Sequence, residues 1–315
     1  MENGGHSMYK CISHKAITLK ITTYKELNSK GKELVSLLED FFNYFQEYIH
    51  TDTEIDLELM NGREKIMNLN NKNLSKIYDL FLQGKVHCLQ IASPPDVEYP
   101  DKSSYSEEEI LLHIPSGCTL AVVCNLAATY PPSNNVFFPN DLCISLSDQL
   151  FGGYIPADVQ RKFVLLFQNA VHLLEADTGY ITYESKVVRP TMKSTFEDYW
   201  GIDIILHHFS TRLHGYFWAN YLSKQHIATL GGLELIKDSA PCDIIEPVIH
   251  SNKPGVFLQL TDNINSYSDD QLVKLRNYFW PLLDVESIKF EAYNGEPRFR
   301  EFTPGYIARL VEPPY

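Results

Sequence analysis

The densest group of side chains that could do chemistry lies between residues 197 and 214. It contains carboxylates, imidazoles and a guanidinium: Glu197, Asp198, Asp203, His207, His208, Arg212 and His214. If residues 195–210 form a helix, Asp203 and His207 lie four residues apart on one face, where they could bind a metal ion or act as an acid–base pair. A structural Asp–His hydrogen bond explains the same spacing equally well, and the spacing matches no established metal-ligand pattern.

The well-marked catalytic signatures do not occur in this sequence. It has no G-x-x-x-x-G-K-[ST], G-x-G-x-x-G, G-x-S-x-G or H-E-x-x-H motif. The cysteines are scattered without a C-x-x-C pair, which is typical of reduced, buried packing residues. We therefore expect no catalytic residue, no cofactor and no metal. An enzyme with a dispersed metal or acid–base site near Asp203, His207 and His208 remains the alternative.

Composition and charge narrow the function classes further. The 315 residues are 44% hydrophobic and 21% charged, which is typical of a globular protein. The N-terminus lacks the apolar segment of a secretory signal, and no apolar run reaches the roughly 20 residues that cross a bilayer. We expect a cytoplasmic protein without membrane contact. A net charge of −13 argues against nucleic-acid binding and is compatible with a basic protein partner.

Hydrophobic periodicity predicts the elements that must position any site. Helices with one apolar stripe are predicted over residues 32–49, 74–82, 157–176 (ended by Gly179) and from Ser268, whose spacing to Gln271 forms a capping box. Apolar strands precede three of these helices, in the segments 16–49, 141–175 and 255–283. The pattern predicts an α+β fold with a mixed or antiparallel sheet flanked by long amphipathic helices. The repeated strand-loop-helix units could reflect a duplication or simply a local arrangement that is common in proteins.

Loop signals suggest how the chain is divided. Residues 1–7 are predicted to be a disordered leader, and the Pro-rich, charged segment 93–106 is the best boundary candidate. It would separate an N-terminal α+β portion, residues 8–100, from a main α+β domain, residues 101–315. A single continuous domain is the alternative. Residues 50–85 are polar and Asn-rich, with the helix at 74–82 as their one predicted element.

An aromatic segment, Leu213–Gly232, has the clearest punctuation in the chain. It predicts a strand, a corner, a short helix capped by Ser223, and a turn at Gly231 and Gly232. Its aromatic side chains have two interpretations. Tyr216, Trp218 and Tyr221 could be exposed anchors of a binding surface, because aromatic residues concentrate at binding hot spots. Burial between sheet and helices is the other interpretation, favoured for Phe217 and Trp218.

The order of three short segments resembles the type VI immunity protein family, bacterial antitoxins against polymorphic or type VI secretion toxins. The segments are Asp177–Tyr180 (DTGY), Gly215–Leu222 (GYFWANYL) and His226–Gly232 (HIATLGG). The resemblance covers roughly residues 105–290. It implies a non-enzymatic α+β protein that binds and neutralises a cognate toxin. The family has no catalytic residues to transfer.

The resemblance and the acidity together lead to a functional hypothesis. We expect a cytosolic immunity protein whose acidic surface blocks the active site of a basic toxin, for instance a nuclease. A scaffold or interaction module without a toxin partner is a further alternative, and the oligomeric state stays open. The candidate partner-binding residues are Tyr216, Tyr221, Glu197, Asp198, Asp269 and Asp270.

Overall fold

A computed structural model describes residues 15–50, 52–93, 118–124, 139–185, 208–250 and 253–283. These residues form a ten-stranded sheet in the order β3-β2-β4-β5-β6-β1-β7-β8-β10-β9, in which every neighbouring pair is antiparallel. The strands are β1 (Lys15–Thr23), β2 (Glu54–Leu59), β3 (Glu64–Asn68), β4 (Val86–Ala92), β5 (Cys118–Val123), β6 (Asn140–Ser147), β7 (Thr178–Ser185), β8 (Ala219–Leu222), β9 (Ile244–His250) and β10 (Lys253–Gln259). The predicted α+β class with an antiparallel sheet is confirmed.

Six α-helices accompany the sheet in the described residues. They are α1 (Gly31–Phe45), α2 (Asn71–Leu82), α3 (Ala157–Leu174), α4 (Lys224–Thr229), α5 (Leu233–Ser239) and α6 (Asp269–Phe279). The three predicted strand-loop-helix units are present as β1–α1, β6–α3 and β10–α6. The first two units have adjacent strands, since β1 pairs with β6, and adjacent helices, since α1 packs on α3.

The face of the central sheet that α1 and α3 cover is apolar because alternate residues of β1 point to it. Ile17, Leu19 and Ile21 are completely buried there. Phenylalanines from both helices meet above them, with the rings of Phe45 and Phe163 at 5.1 Å. This apolar stripe at helical spacing is what the sequence pattern predicted, and burial of such side chains stabilises the fold by about 2 kcal/mol each.

Helix α3 ends differently from the prediction. Glu175 adopts the left-handed conformation with φ 51°, and its neighbour Ala176 completes the turn by donating to the Val171 carbonyl at 3.1 Å. Gly179 does not end the helix but lies in β7. A Cβ at this position would come within 2.8 Å of both Ile21 Cδ1 and the Lys20 carbonyl, so close packing of sheet against helix requires the glycine.

The aromatic segment has the predicted strand, helix and turn, as β8, α4 and a pair of glycines with positive φ. Trp218 is buried, and its Nε1–H donates to the Thr261 carbonyl at 3.0 Å. Phe217 is also buried and stacks on Tyr180 with ring centroids 3.9 Å apart. The burial favoured for these two side chains is confirmed, and the segment covers the second face of the central sheet.

The sheet runs without a break across the predicted boundary at residues 93–106. Strand β4, from before that segment, pairs with β5, from after it. Most of the segment itself lies outside the described residues. Residues 195–207 of the predicted 195–210 helix also lie outside them. Within the described part of the chain, no helix combines the length and the apolar character that crossing a bilayer requires.

Candidate partner-binding surface

The structure describes only some of the predicted site residues. Glu197, Asp198, Asp203 and His207 lie outside the described residues. Helix α6 begins at Asp269, and Asp270 in its first turn is exposed, where a negative charge suits a helix N-terminus. The Ser268–Gln271 capping box predicted beside them is present.

Tyr216 and Tyr221 are not on the surface. Their exposed fractions are 4% and 1%, and burial raises the pKa of both phenols far above the ordinary value. Tyr221 lies on the same sheet face as Ile21 and fills the space left by Gly255, where an added Cβ would meet the phenol oxygen at 2.5 Å. Neither side chain can contact a partner in this fold without movement of the segment, so both serve the core here.

His208, the one described member of the alternative Asp–His–His site, makes structural contacts. Its ring stacks on Tyr24 with centroids 4.9 Å apart, and its Nδ1 is hydrogen-bonded to the Ser210 hydroxyl. Across the described residues, no group of three histidine, cysteine or acidic side chains is arranged to hold a metal ion.

A buried polar chain links β6 and β1 to the aromatic segment. The Thr22 hydroxyl donates to Asp141 Oδ1 at 2.6 Å, so its lone pair is left to accept from His214 Nε2–H at 2.9 Å. Lys20 Nζ lies 4.0 Å from Asp141 Oδ2 and its residue is 0% exposed. Although these residue types occur in active sites, every one of them is enclosed in the core. The geometry supports orientation of His214 above the sheet.

His226 makes a second buried polar connection, at the start of α4. The Ser223 N–H donates to Nδ1 at 3.1 Å, which leaves Nε2–H to donate to the Arg212 carbonyl at 3.2 Å. Burial lowers the pKa of this imidazole from 6.5 to about 4. His226 is therefore neutral in the fold and performs the capping that a Glu or Gln performs in the common capping box.

An acidic surface occupies the outer end of the sheet, on strands that the sequence analysis did not predict. The side chains of β2 alternate between the two faces of the sheet. Ile55 and Leu57 are buried on one face, and Glu54, Asp56 and Glu58 lie on the other. Glu54 and Asp56 are exposed, and Glu58 Oε2 lies 4.0 Å from His87 Nε2. Glu64 of β3 lies opposite Glu58 and adds a fourth carboxylate.

An exposed isoleucine lies among these carboxylates. Ile66 is paired with Asp56 across the β2–β3 ladder and is 75% exposed, the largest exposed fraction among the large hydrophobic side chains of the described residues. We call Glu54, Asp56, Glu58, Glu64 and Ile66 the acidic face. The acidic face thus combines four carboxylates with one exposed apolar side chain.

The opposite side of the same hairpin carries a groove. It has a volume of about 340 Å³ and lies between β3 and α2. Leu57, Ile77 and Leu80 form its apolar lining, while Lys65 and Lys76 are exposed at its rim. The two faces at this end of the sheet therefore differ in charge, one acidic and one basic.

Comparisons with known proteins give a likeness of fold. The sequence matches no protein-family model and no curated protein. Among solved structures, the chain resembles a Pseudomonas aeruginosa T6SS protein, PA0821, with a TM-score of 0.55. The match covers 94% of this chain and 81% of that chain, at 14% sequence identity, and so concerns the fold.

Proposed function

We propose that this chain is an immunity protein, which binds and neutralises a toxin of a type VI secretion system without catalysing a reaction. The observation that carries the binding role is the acidic face, where Ile66 is 75% exposed among carboxylates. The likeness in fold to PA0821, a T6SS protein, over 94% of this chain supports an association with type VI secretion. The resemblance of the segment Gly215–Leu222 to type VI immunity proteins points to the same class.

The proposed mechanism is occlusion by charge. A toxin that cleaves nucleic acid must hold phosphates in a basic cleft, and a row of carboxylates can occupy such a cleft in place of the phosphates. Glu54, Asp56 and Glu58 recur at every second residue, roughly 7 Å apart along a strand, close to the spacing of successive phosphates. Opposite charge would also speed association with the toxin.

Co-expression with the product of the adjacent gene tests this proposal. The wild-type chain should bind that protein in a pull-down and rescue growth of cells that produce it. The double variant Glu54→Lys/Asp56→Lys should weaken binding at least about tenfold, because two attractive contacts become repulsive. Failure of the wild-type chain to bind or to rescue would overturn the proposal.

A matched control makes the same charge change elsewhere. Asp238 and Asp262 are exposed and lie on α5 and in the loop after β10. Asp238→Lys/Asp262→Lys alters net charge equally and should leave binding within about twofold of the wild type. Asp270→Lys tests the predicted contribution of α6 separately. If the control weakens binding as much as the β2 variant, net charge and not the acidic face is responsible.

A further inference from the structure

The backbone of β3 is open to a further strand. Leu59 N–H donates to the Arg63 carbonyl at 2.9 Å, and Leu69 N–H donates to the Thr53 carbonyl at 2.8 Å. Because hydrogen-bonded pairs alternate along an antiparallel ladder, Lys65 and Met67 direct their backbone groups toward β2. Glu64 and Ile66 consequently direct their N–H and C=O groups outward, and no other described strand pairs with them.

The open part of this edge has a defined end. Asn73 Nδ2 donates to the Asn68 carbonyl at 2.9 Å, and Asn70 Nδ2 reaches the same oxygen at 3.3 Å. The Asn68 carbonyl is therefore satisfied, whereas no other described strand pairs with the outward backbone groups of Glu64 and Ile66. At the other end of the described sheet, β9 contains Pro247, a residue that natural edge strands use to limit pairing. Strand β3 contains no proline and exposes Ile66.

We propose that β3 binds an extended strand of a protein partner. The partner strand carries basic and apolar side chains on the face that joins the acidic face, and acidic and apolar side chains on the face that lies over the groove. This inference rests on the proposed binding function and specifies its mode. Side chains beside Glu64 and Ile66 would lie on the acidic face. Those beside Lys65 and Met67 would lie over the groove, whose rim carries Lys65 and Lys76. Main-chain hydrogen bonds would supply affinity, and the two charged faces would supply specificity.

Charge argues against a second copy of this chain as the occupant. Antiparallel pairing of β3 with itself relates the copies by a two-fold axis perpendicular to the sheet. The axis keeps each face on its own side, so carboxylates would extend the acidic face and Lys65 and Lys76 would face their own symmetry mates. A strand with the complementary alternation avoids both repulsions.

A synthetic peptide provides the probe. Its five central residues are Lys, Leu, Val, Glu and Arg, which place Val opposite Ile66, Glu opposite Lys65 and Arg opposite Glu64 in an antiparallel pairing. Labelled with a fluorophore, it should bind the full chain in an anisotropy titration. A peptide of the same composition with its charges on the wrong faces should bind at least about fivefold more weakly. Equal binding of the two peptides would overturn the proposal.

Variants locate the binding at the strand edge. Ile66→Pro removes an outward N–H that does not take part in the pairing with β2, and should lower the affinity for the peptide at least about tenfold. Ile66→Thr keeps that N–H and should weaken it less. Lys65→Glu leaves the backbone intact should the proline variant fail to fold. It should reduce affinity about threefold, and a peptide with Lys in place of its Glu should recover it.

Two readouts separate this inference from the proposed function. In the co-expression assay, rescue by the wild type and by Ile66→Pro alike would remove the strand-addition mode and leave the immunity function standing. Light scattering after gel filtration tests the competing occupant. The wild type should not form a dimer through the β3 edge. A wild-type dimer that Ile66→Pro converts to a monomer would show that a second copy of the chain occupies this edge.

Discussion

The buried imidazole of His226 should make the fold less stable at mildly acidic pH. Its pKa lies at about 4 instead of 6.5, because burial disfavours the charged ring more than its hydrogen bond to the Arg212 carbonyl favours it. A group with a lowered pKa in the folded state binds its proton preferentially in the unfolded state. Its contribution to stability is complete above pH 6.5 and is lost as pH falls toward 4.

The size of this effect follows from the shift. Each pKa unit corresponds to about 1.4 kcal/mol, so the whole window from 6.5 to about 4 amounts to roughly 3 kcal/mol. Between pH 7 and pH 5, about 2 kcal/mol of this should be lost. The variant His226→Gln cannot titrate in this range. Its amide oxygen can accept from the Ser223 N–H in place of Nδ1, but it lacks the ring nitrogen that donates to the Arg212 carbonyl, so at pH 7 it should be less stable than the wild type by about 1–3 kcal/mol.

Urea unfolding at pH 7 and pH 5 measures the difference. The stability gap between the wild type and His226→Gln should shrink by about 2 kcal/mol on acidification. Acid effects common to both proteins, such as carboxylate protonation, cancel in the gap. A constant gap for His226→Gln would refute the reasoning.

Three further predictions concern the core. Gly179→Ala should lower stability by about 1–3 kcal/mol in a thermal melt, because the added Cβ meets the Lys20 carbonyl at 2.8 Å; no change would mean that sheet and helix separate easily. Thr22→Val should cost about 2 kcal/mol by breaking the link between Asp141 and His214, and Thr22→Ser should restore most of it. Burial encloses Cys124 and raises the pKa of its thiol to about 12, so it should resist alkylation at pH 8 until urea unfolds the chain.

The long periodic helices could be predicted from the sequence because their apolar stripes are unambiguous. The prediction of 157–176 for α3 differs from the structure by two residues, and the prediction of 32–49 for α1 begins one residue late and extends four residues beyond its end at Phe45. Gly179 was misassigned for a physical reason. Its role depends on Ile21 and Lys20, which lie more than a hundred residues away, and not on its local neighbours.

The β2–β3 hairpin was missed although its signal is present. Residues 54–59 read Glu-Ile-Asp-Leu-Glu-Leu, a strict alternation, and Asn61–Gly62 follows as a turn, with Gly62 at φ 73°. The many asparagines of residues 68–73 suggested an irregular segment, yet Asn70 caps α2 and Asn73 covers the Asn68 carbonyl. The net charge predicted an acidic surface without giving its position. The residues of the acidic face became known only from the pairing of β2 with β3.

The position of β1 has a consequence for how the chain acquires its structure during synthesis. Ala16 pairs with Ser147 on one side and with Glu184 on the other, so β1 leaves the ribosome well over a hundred residues before either of the described strands that pair with it. Contacts so distant in sequence slow folding. Since β1 alone joins the five strands on its β6 side to the four on its β7 side, we expect a nascent chain that stops before residue 140 to expose Ile17, Leu19 and Ile21. Such a chain would be a substrate for chaperones.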